Sequence, residues 1–330
     1  MVGCGRMGKL HAKVYCQIPR VRLAGVYDVN RDAAEAAAEE FCCEVFPSPQ
    51  AMIDAGVRAV TIAVPTQSHP ESAEYFLKRG VACLVEKPLA RNVAESRRII
   101  EAARSGGAVV QVGHIERFNP AFVAMRRLGI QPRFIEVMRI SPLTFRSIDV
   151  GVVLDMMIHD IDIVLQLANS RASKIEAIGV GVIGDAEDIC NARIVFENGC
   201  VANVTASRLA LKTERRLRVF SPDAYVSIDY QKRYGIVVRR SGNLAAIREA
   251  GAKIRSGEIT DISQLNFKDL VNVEELAIDE IDPLRAELES FIDAVTGKCP
   301  PVVTADEGLA AVELANRIVD SITPQKLEVE

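Results

Sequence analysis

Lys87, Asp155 and His159 are residue types that move protons, and each stands in a local pattern that suits the task. Lys87 follows the apolar run Cys83-Leu84-Val85 and Glu86, and Pro88 comes next. A lysine at the carboxyl end of a buried strand, with a proline restricting the backbone beyond it, is placed at the crevice of an open sheet. The competing reading is a solvated strand-end lysine. At about 3.6 residues per helical turn, Asp155, His159, Asp162 and Gln166 share one narrow face. Val153, Leu154, Met157, Ile158, Ile161, Val164, Leu165 and Ala168 form the apolar opposite. An aspartate one turn ahead of a histidine fixes its tautomer and raises its basicity, as a general base requires. An exposed polar face with an incidental acid–imidazole pair is the alternative. No further histidine or cysteine follows to complete a ligand set, so no metal is expected.

A second cluster suits phosphate. Gly3-Cys4-Gly5-Arg6-Met7-Gly8 matches G-x-G-x-x-G. Its glycines serve, in order, the tight turn, the approach of a pyrophosphate, and close helix–strand packing. The helix that follows adds unpaired N–H groups and a positive dipole end. An apolar strand then ends in Tyr27-Asp28, about twenty residues past Gly8. An acidic side chain there accepts both ribose hydroxyls and repels a 2′-phosphate, so NAD is expected over NADP. Arg31 keeps NADP open, since a guanidinium nearby suits a 2′-phosphate. Asp28 as a cap of the next helix is the plainer reading. Only Met1 and Val2 precede Gly3, so the central strand is expected to be nearly missing, as from a start set too late.

These residues need a scaffold. Apolar runs at 21–27, 59–64, 81–85 and 108–112 alternate with helical patterns at 8–18, 31–40, 70–79 and 92–104. Alternation of this kind predicts βαβ units, a parallel sheet and helices on both faces. Past Pro120 the rhythm changes to a short helix (121–128), a strand (134–140) and a long helix (151–168). Strands follow at 175–183, 190–196, 200–208, 215–220, 225–230 and 236–240, with a hairpin turn at Glu197-Asn198-Gly199. This reads as a largely antiparallel sheet covered by helix on one face. Residues 241–269 show no clear period and are expected to be a surface excursion. Helices at 283–295 and 305–318 close the chain. The fold class is therefore an α/β Rossmann domain, a doubly wound parallel sheet, over residues 1–118. An α+β domain for substrate binding and oligomerisation is expected over 119–330.

The bulk properties narrow the partners. The chain has 330 residues and a net charge of −4, so no basic excess favours nucleic acid. No apolar run approaches the roughly 20 residues of a membrane span. The eight cysteines form no metal or redox spacing and read as buried thiols in a reducing cytoplasm.

Taken together, Gly3–Gly8, Val64-Pro65-Thr66 with His69, Glu86-Lys87-Pro88 and the Asp155-x-x-x-His159 helix resemble the Gfo/Idh/MocA oxidoreductases. The resemblance runs in order from Gly3 to about Tyr230. It implies a Rossmann domain, an open-faced antiparallel sheet, and Lys87, Asp155 and His159 as the catalytic group. It also implies that Gly3, Gly5, Arg6, Met7, Gly8, Asp28, Val64, Pro65, Thr66, His69, Glu86 and Lys87 line the NAD site. The run from Gly113 to Phe122, with Met156–Asp162, is similar to the nucleotide-sugar branch of that family. That likeness implies oxidation at C3 of a nucleotide sugar such as UDP-N-acetylglucosamine, with an aminotransferase as pathway partner. Inositol or a free sugar or polyol is the rival substrate. A non-catalytic NAD-dependent regulator on the same scaffold is the rival of another class. His114, Arg117 and Asn119, at the domain junction, are the expected substrate contacts, Arg117 by fork geometry. An internal ion pair for Arg117 and a helix start at Asn119 are the plain alternatives. Arg139, Arg146 and Arg208 are further cations for a pyrophosphate. A homodimer or homotetramer is expected.

Overall fold

A computed structural model describes residues 1–144, 150–183, 186–240, 244–258 and 271–322. The first third builds a parallel sheet. Helix α1 (Arg6–Tyr15) leads to strand β1 (Gly25–Val26), helix α2 (Arg31–Phe41) and β2 (Glu44–Val45). Then come α3 (Pro49–Asp54), β3 (Ala59–Ile62), α4 (His69–Leu77), β4 (Ala82–Glu86), α5 (Val93–Gly106) and β5 (Val110–Gly113). β1 pairs with β2, and β3, β4 and β5 pair in order, all parallel. Val2 joins the two parts, with parallel bridges to Tyr27 and Ile62. Its N–H donates to the Thr61 carbonyl at 2.9 Å, and the Tyr27 N–H donates to the Met1 carbonyl at 2.9 Å. The short lead-in thus occupies the central place of a doubly wound sheet, with Met1 and Val2 buried. Of the apolar run 21–27 only β1 pairs as strand.

Among the described residues the second sheet has eight strands. Helix α6 (Pro120–Arg126) and β6 (Phe134–Ile140) come first, followed by a π turn (Val153–Met157) that runs into α7 (Ile158–Ala168). Strands β7 (Ala172–Val180), β8 (Ile189–Phe196), β9 (Val201–Ser207), β10 (Glu214–Phe220), β11 (Ala224–Asp229) and β12 (Tyr234–Arg240) follow. Helix α8 (Leu244–Ser256) and β13 (Val271–Glu275) come next, and α9 (Pro283–Val295) and α10 (Ala305–Ser321) close the described fold. The strand order is β13-β12-β11-β10-β6-β9-β8-β7, antiparallel except between β6 and β9. The aperiodic stretch 241–269 thus contains a helix at 244–256, and 259–270 lies outside the described residues.

Period-two burial decides which sheet face is covered. Ile135, Val137, Ala202, Val204, Leu217 and Val219 turn inward under α6 and α7, at 1% exposure or less. Helix α10 ties the halves together. Its Leu314, Ala315 and Ile318 pack into the core of the second sheet, and its Val312 packs into that of the first. A capping box of Thr304 and Glu307 starts this helix. Among the described residues no helix is long and apolar enough to cross a membrane.

Candidate active site

The glycine loop shows why each glycine is needed. Gly3 has φ +92°, and a Cβ there would stand 2.6 Å from the Ala63 carbonyl oxygen. A Cβ on Gly8 would fall 2.0 Å from the Gly3 carbonyl oxygen. Gly5 differs, because nothing lies within 4 Å of its Cβ position. It faces open space at the N-terminus of α1, where a diphosphate would meet free N–H groups. Asp28 accepts from the Cys4 N–H at 2.6 Å and the Asn30 N–H at 2.8 Å, which fixes its carboxylate beside the loop. The cap of α2 is Asn30, accepting from the Ala33 N–H, so Asp28 does not play that part. Arg31 is engaged by Glu35 at 2.7 Å. These residues fit a dinucleotide, whose phosphates would meet Gly5 and whose ribose would meet Asp28.

Past the loop opens a cavity of about 630 Å³, lined by Met7, Val64, Pro65, Thr66, His69, Glu86, Lys87 and Asp155 among others. His69 is buried, and its ring nitrogens lie 2.9 Å from the Pro88 carbonyl and 3.0 Å from the Val64 carbonyl. It straps the two cavity walls together. Lys87 follows the end of β4 and donates from Nζ to the Asp155 carbonyl oxygen at 2.6 Å, with that residue's carboxylate at 3.6 Å. Burial lowers the pKa of Lys87, against the pull of Asp155 and Glu86. The Glu86 carboxylate reaches His11 Nε2 at 2.9 Å. Glu287 on α9 completes that buried group, and burial followed by the Glu86 charge pushes its carboxyl well above the usual range.

His159 stands in the first turn of α7. Its Nδ1 is buried, and among the described residues it has no hydrogen-bond partner. Burial, then the charges of Lys87 and Arg139, hold its pKa well below the usual value. It is therefore neutral near pH 7 and free to accept a proton. His114 is 1% exposed, and neither of its ring nitrogens has a partner among the described residues. Among the described residues no hydrogen bond or ion pair joins Asp155 to His159. The π turn breaks the i, i+4 register assumed for one continuous α-helix and brings Asp155 to Lys87 instead.

Comparison with known proteins decides the family. Residues 1–114 match the model of the oxidoreductase family with an NAD-binding Rossmann fold, and residues 141–226 match the Gfo/Idh/MocA C-terminal domain. The chain belongs to the Gfo/Idh/MocA oxidoreductases. It is 35% identical over 91% of its length to a UDP-N-acetylglucosamine 3-dehydrogenase from Acidithiobacillus ferrooxidans, covering 89% of that protein. A solved structure of that enzyme superposes with a TM-score of 0.85 at 31% identity, over 97% of this chain and 96% of that one. An inositol 2-dehydrogenase from Rhizobium meliloti is 27% identical over 99% of this chain and 97% of its own.

In this Gfo/Idh/MocA chain, two of the three expected substrate contacts are engaged within the protein. Arg117 is 3% exposed and forks onto Asp162 at 2.6 and 2.7 Å, with Glu307 at 3.3 Å. Asn119 caps α6 by accepting from the Ala121 N–H at 3.1 Å, and donates to Glu116. Gln166 likewise leaves the expected polar face for Glu307, at 2.6 Å. Arg139 is buried between Asp160, at 2.7 and 2.9 Å, and Glu116, at 3.0 Å. Arg208 is buried 3.5 Å from Asp188. Arg146 lies outside the described residues. The sequence reading missed Glu116, Asp160, Arg215 and Tyr230. Alternation along 215–219 carried a signal for Arg215, since it puts that arginine on the covered face with Leu217 and Val219.

Proposed function

We propose that the protein oxidises a secondary hydroxyl of a nucleotide sugar, C3 of UDP-N-acetylglucosamine being the first candidate. The observation that carries this reading is Lys87 in the wall of the cofactor cavity, held there by Asp155, with the buried His159 of α7 within reach of the Lys87 charge. Bound NAD would supply the hydride acceptor. His159 takes the hydroxyl proton at a ring nitrogen as the carbinol hydrogen leaves. Lys87 donates to the same oxygen as it gains carbonyl character, and Asp155 sets the position of Lys87. His114 borders the group as a further buried imidazole.

Substrate choice follows the Acidithiobacillus ferrooxidans enzyme, whose named substrate is a nucleotide sugar and whose chain matches this one nearly end to end. A 3-keto sugar of this type is consumed by an amination, which makes an aminotransferase the pathway partner and the cytoplasm the setting. The uncovered sheet face presents Ile178, Ile189, Phe220, Tyr234 and Val273 to solvent, and it is the surface for a homodimer or homotetramer.

The test is NADH formation by purified protein with NAD⁺ and UDP-N-acetylglucosamine, beside myo-inositol and glucose. Turnover with the nucleotide sugar alone supports the reading. Turnover with inositol instead moves the protein to the polyol dehydrogenases. NAD binding without any turnover would leave a regulator on this fold.

A further inference from the structure

The covered face of the large sheet carries a row of polar groups at its active-site end. Arg139 on β6 pairs directly with Arg215 on β10. Tyr230, just past β11, donates its backbone N–H to the Arg215 carbonyl oxygen at 3.0 Å and extends the row. Period-two alternation puts Arg215 on the face of Leu217 and Val219, which are buried. Arg215 lies farther along, and its side chain is 46% exposed. Arg215 is thus a residue on the covered face whose side chain still reaches solvent.

Two guanidinium groups directly opposite each other repel unless acids answer both. Arg139 is answered in full by Asp160 and Glu116. For Arg215 the answer among the described residues is one long contact, 3.8 Å to a Glu116 oxygen that Arg139 already holds at 3.0 Å. Next along the row the Tyr230 hydroxyl is buried, the residue being 4% exposed, and has no hydrogen-bond partner among the described residues. Arg215 also lies close enough for its charge to act on His159. This end of the face therefore holds one loosely engaged guanidinium and one hydroxyl without a partner among the described residues, with the Arg215 charge within reach of the proposed base.

We propose that Arg215, next to Tyr230 in the row, is a specificity-determining residue that receives the diphosphate of the substrate. A guanidinium fork matches two phosphate oxygens. The diphosphate is the group that separates a nucleotide sugar from a free sugar or an inositol. It is attached at C1, two carbons along the ring from C3, so its anchor must lie near the base without touching the reacting carbon. This assignment rests on the nucleotide-sugar reading above.

The experiment measures equilibrium binding of UDP, which needs no turnover, to the wild type, Arg215→Met and Arg215→Lys. Initial rates with UDP-N-acetylglucosamine and NADH titrations accompany it. Arg215→Met is expected to raise the Kd for UDP and the KM for the nucleotide sugar by about ten- to hundredfold. Its kcat and NADH affinity are expected to stay near wild type. Arg215→Lys, which keeps the charge and loses the fork, is expected to recover part of the loss. Unchanged UDP binding and KM in Arg215→Met, with the wild type active on the nucleotide sugar, overturns the assignment and leaves the substrate reading intact. A lowered melting temperature with unchanged KM overturns it as well, by making Arg215 structural. A wild type that binds no UDP and oxidises only inositol or glucose overturns both.

Discussion

Lys87 holds Asp155 twice, through the main-chain carbonyl oxygen at 2.6 Å and through the carboxylate at 3.6 Å. Strand β4 of the Rossmann sheet and the π turn ahead of α7 are thereby latched across the cleft. Lys87→Met is expected to lower kcat by about 10²- to 10⁴-fold, the span of a lost proton-transfer or hydrogen-bonding group. Asp155→Asn keeps the shape and removes the charge that raises the Lys87 pKa. Its loss is expected to be smaller, with the alkaline limb of the rate moved to lower pH. Steady-state kinetics across pH checks both.

The pH profile of kcat/KM follows from two depressed pKa values. His159 must be neutral to accept a proton, and its pKa lies well below 6.5. Activity is therefore expected to rise with pH through a midpoint below 6.5 and to be level near neutrality. It falls again as Lys87 loses its proton below the ordinary lysine value of 10.5. His159→Asn is expected to lower turnover by about 10²- to 10⁴-fold with NADH affinity retained. An acid midpoint above 6.5 in the wild type would count against His159 as the base.

The glycine loop separates folding from cofactor binding. Gly8→Ala places a methyl 2.0 Å from the Gly3 carbonyl oxygen, so the melting temperature is expected to fall along with NAD affinity. Gly5→Ala meets no protein atom, so it is expected to fold normally and to lose NAD affinity alone. Thermal melts paired with NADH fluorescence titrations distinguish the two.

Arg117 is expected to matter for stability and little for substrate. Arg117→Ala leaves Asp162 buried and unpaired, which costs about 3–5 kcal/mol. Denaturant unfolding measures that loss. A KM for the nucleotide sugar that rises at a temperature where the variant is folded would return Arg117 to the substrate site.

Glu287 links stability to pH. Its folded pKa is raised above the ordinary 4.5, so the folded protein keeps a proton that the unfolded chain releases. Stability from this group is full below about pH 4.5 and declines as pH rises toward the folded pKa. Glu287→Gln removes the dependence. It is expected to melt higher than wild type at about pH 8 and equally at about pH 4.

Much of the scaffold was legible because its signals are local. Helix α9 spans the same residues in both readings, and strands β8 to β12 differ from the sequence expectation by one or two residues at an end. Period two and period 3.6 record which face of a strand or helix is buried. The π turn was not legible. It costs one extra residue in a helix, and the apolar pattern around Met156 and Met157 absorbs that without a break.

The sequence by itself determined the class of chemistry: a glycine loop with an acid beyond its next strand, a lysine after a buried strand, and an aspartate and histidine on one helical segment. Those features depend on residue type and short spacing, which a linear chain displays directly. Only the tertiary structure decided which charges are spent. Arg117, Arg139 and Arg208 look alike in the sequence, yet each is buried against a carboxylate brought from far along the chain, Asp162, Asp160 and Asp188. Among the described residues Arg215 shares only a long contact with Glu116. The partner of an arginine is set by packing between distant segments, and a buried charge accepts the acid that packing supplies, since leaving it unpaired costs several kcal/mol.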